Sequence, residues 1–200
     1  MKKIVIGAAT LLLLLAGCGQ KKGTTSSSKS ESETLQSTLP VLENAEKNTV
    51  VTKTLIFPES GNGVKQTQTI TYKGKQFLKL VIRQTRPLSE ELKSFIADHG
   101  LEATKKAFAE AEEKDESLQE ARKLEGFTVE TQLISDTEME TTTTYDFQIL
   151  DVKKAAQVEY LKNIGLESLL KNEPSQYIED RIANGATEEQ KIQINRRTYL

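Results

Sequence analysis

Between Val50 and Phe57 the chain is rich in β-branched residues, and the run ends at Pro58, which has no N–H to give to a ladder, so the stretch predicts a strand. Beyond the turn SGNGV, residues 64–73 read VKQTQTITYK. Gln66, Gln68, Ile70 and Tyr72 alternate there with Thr67, Thr69, Thr71 and Lys73 at the period of a second strand. Lys73, Gly74 and Lys75 turn the chain into QFLKLVIRQT, with Leu78, Leu80 and Ile82 expected on one face and Phe77 and Val81 on the other. That pattern belongs to a strand partly buried on both sides. Three strands joined by tight turns make an antiparallel meander, which Pro87 stops.

The period then lengthens. Ser89 stands where a helix N-cap would, Glu90 and Glu91 place negative charge in its first turn, Leu92, Phe95 and Ile96 form an apolar stripe, and Gly100 after His99 predicts the C-cap. A second helix is expected from about Leu101 to Lys123, with Leu101, Thr104, Phe108, Ala111, Leu118 and Ala121 along one line interrupted at Asp115. After Gly126, FTVETQLIS and EMETTTTYDFQIL predict a β-hairpin turning at Asp136 and Thr137, with Met139, Thr141, Thr143, Tyr145, Phe147 and Ile149 on one face. Leucine-bearing helical segments follow at about Lys153–Asn163 and Leu166–Lys171, broken by Gly165 and closed by Pro174. The residues from Ser175 to Leu200 hold one more helix, either Tyr177–Ala183 or from Glu188 onward.

This order predicts an α+β fold: an antiparallel sheet of about five strands, a three-stranded meander and then a hairpin, with helices packed on one face. Residues 49–200 are long enough for one such domain with its own core. With no tryptophan in the chain, that core rests on Leu, Ile, Val and Phe.

Ahead of the domain the pattern is of another kind. Lys2 and Lys3 precede an uncharged run from Ile4 to Gly17, too short for the roughly 20 apolar residues of a spanning helix and of the length of a secretory h-region. Leu15, Ala16 and Gly17 then lead into Cys18, the one cysteine of the chain. This arrangement resembles the lipobox of bacterial lipoproteins. The resemblance implies cleavage after Gly17, a diacylglyceryl group on the Cys18 sulfur, and residence on the outer, extracytoplasmic face of the cell membrane. Two acyl chains, at about 0.8 kcal/mol per buried methylene, hold more firmly than one. Residues 1–17 are thus a lipoprotein signal peptide and 18–48 a lipidated, flexible tether. Ten of the eighteen residues from Lys21 to Thr38 are Ser or Thr, and such a segment cannot bury enough to offset its ordering entropy. A tether of this length reaches roughly 30 Å. Residues 39–47 are open between tether and a docked lead-in.

Charge narrows the partners. The 27 basic residues less Lys2 and Lys3, against 29 acidic ones, leave the secreted part at −4, and no cluster supplies the basic face that phosphate neutralisation needs, so nucleic acid is not an expected partner. The membrane is the expected partner, through Cys18.

Catalytic chemistry has little to build on. With Cys18 lipidated, neither disulfides nor thiolate metal sites are available to the domain, and a single histidine, His99 at a helix end, does not furnish a nucleophile–base pair or a zinc site. Glu110, Glu112, Glu113, Asp115 and Glu116 crowd one helix among Lys105, Lys106, Lys114 and Lys123, the composition of a solvated face with intrahelical pairs. Asp136, Glu138 and Glu140 alternate along a hairpin without the glycine that folds a cation loop. No metal, cofactor or catalytic residue is expected. Thr67, Thr69 and Thr71, with Thr142 and Thr144, stand opposite the apolar sides of their strands. Such hydroxyl-bearing faces bind extended chains or glycans, and they also arise from β-propensity alone.

The lipobox, the hairpin GVKQTQTITYKGKQFLKL and the segment LEGFTVETQLISDTEMETTTTYDFQILDVKKAAQ together resemble the YehR-like family of small bacterial lipoproteins, across roughly Val50 to Leu170 of the folded part. Phe147, Ile149, Asp151 and Leu161 match its apolar–acidic strand end and the leucine-bearing helix that follows; beyond Pro174 the sequence departs from its pattern. The resemblance implies a fold and an anchor and no reaction. The expected role is a non-enzymatic envelope lipoprotein that binds a small ligand, a wall component or a protein. The alternative is a structural or accessory subunit of a membrane complex.

Overall fold

The structure, a computed structural model, describes residues 49–189. Its elements run β1 (Val50–Ile56), β2 (Lys65–Lys73), β3 (Gln76–Pro87), α1 (Glu90–His99), α2 (Leu101–Glu113), α3 (Glu116–Arg122), β4 (Phe127–Leu133), β5 (Glu138–Asp146), α4 (Val152–Ala155), α5 (Leu166–Leu169), α6 (Pro174–Ala183) and β6 (Thr187–Glu188). The strands form one six-stranded antiparallel sheet in the order β4-β5-β3-β2-β1-β6. The meander and the hairpin are joined by β3 pairing with β5, Ile82 opposite Thr143. The expected five strands are six: the chain leaves α6 through Ala186, and Thr187–Glu188 add to the free edge of β1 opposite Ile56 and Leu55. A two-residue strand carries no periodicity of its own, so only the edge it meets defines it.

One parity of the strand residues is buried under the helices. Leu55, Ile70, Leu80, Ile82, Val129, Phe127 and Tyr145 pack with Leu118 and Ala121 of α3, with Leu161 and Ile164, and with Tyr177 and Ile178 of α6. A smaller cluster gathers Leu88, Leu133, Met139 and Ile96 of α1, with Leu92, Leu101 and Phe108 against it.

Several expectations from pattern are corrected by this packing. Phe77 is buried and Leu78 is not, because the β2–β3 register slips between Thr71 and Tyr72: Thr71 pairs with Lys79 but Tyr72 pairs with Phe77, leaving Leu78 as the extra residue of a bulge. A one-residue slip sends every later side chain to the opposite face. The helix expected from Leu101 to Lys123 is two, because Asp115 acts as an N-cap: its Oδ1 accepts from the Leu118 N–H at 3.1 Å and starts α3 afresh. Helix over Lys153–Asn163 is confined to α4, after which Val158, Leu161 and Ile164 are reached through successive turns. Pro174 opens α6 rather than closing a helix, as proline at the first helical position does. Ile149, expected on the buried face of β5, lies past the end of that strand and is 61% exposed.

Other expectations are met. Ser89 caps α1 by accepting from the Leu92 N–H at 3.3 Å, Gly100 ends that helix with φ 83°, and of the two placements for the last helix the one at Tyr177–Ala183 is helical, while the one from Glu188 onward lies, beyond Glu189, outside the described residues. Gly126, between α3 and β4, has φ 81°, and a Cβ there would stand 2.7 Å from the Asp146 carbonyl oxygen and 2.8 Å from the Leu150 nitrogen. Only glycine meets both demands.

Candidate functional site: the threonine face of the sheet

The parity of strand residues that does not meet the helices makes a second, uncovered surface. Register aligns it in rows. Thr54, Thr69, Val81, Thr144 and Thr128 lie side by side across five strands, a span of ~19 Å. The next row is Ile56, Thr67, Arg83, Thr142 and Glu130, and on the other side lie Thr52, Thr71, Lys79 and Asp146. The five threonines singled out by their alternation, Thr67, Thr69, Thr71, Thr142 and Thr144, therefore share one surface although β2 and β5 are not neighbours; β3 lies between them. Thr52 and Thr54 of β1 extend it. Their signal was the same alternation in VVTKTLI, hidden because Lys53 occupies the intervening position where an apolar residue would have marked the buried side.

Hydroxyl pairs run between strands: Thr52 to Thr71 and Thr54 to Thr69, each at 3.1 Å between Oγ1 atoms. Each hydroxyl in such a pair keeps capacity for a further partner, since a hydroxyl has one proton and two lone pairs. Charge on this side is carried by the ion pairs Lys65–Glu138 at 3.4 Å and Arg83–Glu140 at 3.8 Å and, in the rows flanking the central one, by Glu130, Lys79 and Asp146, so only the central row from Thr54 to Thr128 is uncharged. At one end a shallow depression of about 320 Å³ opens between Ile56, Phe57, Thr67, Arg83 and Thr85. A sheet face whose central row is uncharged and hydroxyl-lined suits hydrogen bonding to an extended or polyhydroxylated ligand.

The other candidates are dispersed. Cys18 and the residues before it, Leu15, Ala16 and Gly17, lie outside the described residues, as does the tether. His99 is the last residue of α1; its ring stacks on Phe95 at 4.2 Å and its Nδ1 is 3.1 Å from the Phe95 carbonyl oxygen. In the acidic helix, Lys105 pairs within α2 with Glu102 at 2.8 Å as expected, while Glu112 accepts from Arg122 of α3 at 2.9 Å and Asp115 is taken up by its cap. Glu138 and Glu140 face Lys65 and Arg83. Among the described residues no three His, Cys, Asp or Glu side chains are grouped as metal ligands would be.

Pattern reasoning missed a set of polar groups on the covered side. Tyr177 donates its hydroxyl to Oε1 of the buried Gln68 at 2.7 Å, and Gln84 donates to Gln66 Oε1 at 2.6 Å. The Tyr145 hydroxyl is buried without a hydrogen-bond partner among the described residues, and burial pushes its phenol well above the usual range, with nearby Tyr160 adding to the effect. Burial likewise raises the Tyr160 phenol, followed by the negative field of Glu112. Desolvation lowers the Arg86 guanidinium. Gln66, Gln68 and Tyr145 occupy apolar-parity positions in the alternation, and that was the one signal available for them.

With the geometry in hand, comparison with known proteins adds kinship. A model of the YehR-like family matches residues 50–181. The NMR structure of a protein from Streptococcus pneumoniae TIGR4 is 67% identical, covering 82% of this chain and 100% of that one, with a TM-score of 0.65. The NMR structure of the E. coli YehR protein is 19% identical over 76% of this chain and 99% of that one, with a TM-score of 0.46. None of the curated proteins compared with the chain matches it.

Proposed function

The chain belongs to the YehR-like family, and from that premise we propose that it is a lipid-anchored, non-enzymatic binding protein of the bacterial cell envelope whose uncovered sheet face takes an extended, hydroxyl-rich chain such as a wall glycan. In this reading Leu15, Ala16 and Gly17 direct cleavage, Cys18 carries the diacylglyceryl anchor, and residues 18–48 tether the domain to the outer face of the membrane. The observation that supports binding is the contrast between the two sides of one sheet: helices cover one, while the other sets threonine hydroxyls in rows on β1, β2, β4 and β5, on either side of Val81, Arg83 and Lys79 of β3, with nothing among the described residues packed over them.

Co-sedimentation of the full chain with purified cell-wall sacculi tests it. Thr69→Lys with Thr144→Lys puts two ammonium groups into the central row and should lower the bound fraction by about tenfold, equivalent to ~1.4 kcal/mol. Retention of wild-type binding by that variant would remove the face from consideration. The anchor has its own test: a fatty-acid probe should label the wild type and leave Cys18→Ala unlabelled.

A second reading, an accessory subunit of a membrane complex, draws on Val50 and Ile56, which are 55% and 42% exposed on the same side of β1. Cross-linking in membranes followed by Ile56→Asp distinguishes it, since a protein contact through that position would be lost while sacculus binding through the central threonines would persist.

A further inference from the structure

We propose that the end of the sheet at which the described chain begins is a membrane-contact surface: the Lys73 and Lys79 ammonium groups meet the phosphates of an anionic bilayer, and the exposed Val50 and Ile149 enter the headgroup layer beside them. The proposal rests on the reading that the residues before Thr49 hold the chain at a bilayer.

Antiparallel pairing gathers these four residues. Val50 opens β1 and is the cross-strand partner of Lys73, the last residue of β2, so both lie on the uncovered side. Lys73 pairs in turn with Gln76, which opens β3, and Lys79 of β3 pairs with Asp146, the last residue of β5. Ile149 follows in the turn after β5, where its N–H donates to the Asp146 carbonyl at 3.3 Å. In strand order this end therefore reads Val50, Lys73, Lys79, Ile149, across three strand spacings or roughly 14 Å. Val50 and Ile149 are the two most exposed large aliphatic side chains among the described residues.

Charge separates this end from the other. Exposed aliphatics occur at both, with Ile56 and Ile134 at the far one. There, however, Glu59 and Asp136 stand in the connections between strands, and Lys65 is paired with Glu138. At the near end neither Lys73 nor Lys79 forms an ion pair among the described residues. The acids of the near end have other partners. Asp146 accepts from the Gln148 N–H and side-chain amide at 3.1 and 3.3 Å, Asp151 accepts from the Lys154 N–H at the start of α4, and Glu173 is paired with Lys75 at 2.6 Å, leaving Glu125. Two unpaired ammonium groups flanked by aliphatic side chains are complementary to a surface that sets phosphates over an apolar layer.

The path of the chain selects the same end. A tether of residues 18–48 has a reach of roughly 30 Å and joins the domain at Thr49, beside Val50. Contact through the near end uses little of that reach, whereas contact through the far end would add the length of β1, about 20 Å. A surface held this close is met at high effective concentration, and each lysine at an anionic leaflet favours approach by about fivefold.

The test places the full chain in nanodiscs that carry a gadolinium-chelating lipid and follows paramagnetic broadening of backbone amides by NMR, in phosphatidylglycerol and in phosphatidylcholine discs. Broadening at Lys73, Lys79 and Ile149 relative to Ile134 and Asp136 reports which end faces the lipid. That ratio is expected to be about fivefold higher in phosphatidylglycerol than in phosphatidylcholine. Lys73→Glu with Lys79→Glu should bring it down to the phosphatidylcholine value, and Ile149→Ser, which keeps both lysines, should lower it by about half. A ratio equal in the two lipids, one unchanged by the double charge reversal, or broadening centred on Ile134 would overturn the proposal. So would saturable shifts at Lys73 and Lys79 with lipid-free poly(glycerol phosphate) beside a flat lipid ratio, which would assign these lysines to a wall polymer. Loading the unprocessed chain through its apolar run Ile4–Gly17 makes the ratio independent of acylation. A flat ratio then removes the surface alone, and absence of fatty acid on Cys18 removes the anchor alone.

Discussion

Ile70 and Thr69 are neighbours on β2, yet one is fully enclosed and the other faces outward in a row of hydroxyls. The two sides of this sheet use the same strands and the same ladder and do opposite work. On the covered side, burial of apolar surface sets stability, and the polar residues present there must find partners. On the open side the hydroxyls already have water, so each can be exchanged with little effect on folding and can be given over to recognition.

Paired substitutions sharpen that contrast, and the largest effect is expected from the covered side. Ile70→Ala should cost about 2–5 kcal/mol, the range for deleting a fully buried aliphatic side chain, read as a lowered midpoint in urea or guanidinium at unchanged slope. Tyr177→Phe comes next. It removes the donor to Gln68 and leaves a buried amide oxygen unsatisfied, at about 1–3 kcal/mol, and restoring most of that stability with Gln68→Leu in the same chain would confirm that the unpaired amide, not lost packing, is the cause.

Tyr145→Phe tests the same rule with the opposite sign. Its hydroxyl is buried without a partner among the described residues, so removing it should leave stability unchanged or raise it by about 1 kcal/mol at neutral pH. The pH dependence has a definite direction. The folded state holds the Tyr145 phenol protonated, above the ordinary value of 10.0. Its contribution is therefore fully present below pH 10 and is lost as pH rises beyond it, because the unfolded chain gives up that proton first. Tyr145→Phe should flatten the alkaline limb of a stability curve measured by denaturant titration. Smallest of all, Thr69→Ala should change stability by no more than about 0.2–1 kcal/mol, the worth of a cross-strand pair. A Thr69→Ala loss as large as that of Ile70→Ala would abolish the distinction between the faces.

Alternation told which residues of each strand lie together, since side chains separated by two positions are forced to one side of a pleated chain. Thus Thr67, Thr69 and Thr71 were legible as a set, and so were Thr142 and Thr144. That the two sets form one surface was not, because β3 joins them through pairings between residues far apart in the chain. The Phe77–Leu78 exchange was illegible for the same reason: a bulge is a property of two strands in register, and QFLKLVIRQT carries one of them. Asp115 was visible as an interruption of an apolar line; its role as a cap depends on the Leu118 N–H being free to meet it.

From residues alone came the class of fold, the hairpins, most caps, the threonine parity and the lipobox expectation at Cys18, because each rests on forces acting within a few positions of the chain. Tertiary packing alone chose which side of the sheet the helices cover, added β6 to an exposed edge, and joined the Tyr177 hydroxyl to the buried Gln68. Those outcomes depend on contacts whose partners are distant in sequence, and a one-dimensional pattern has no term for them.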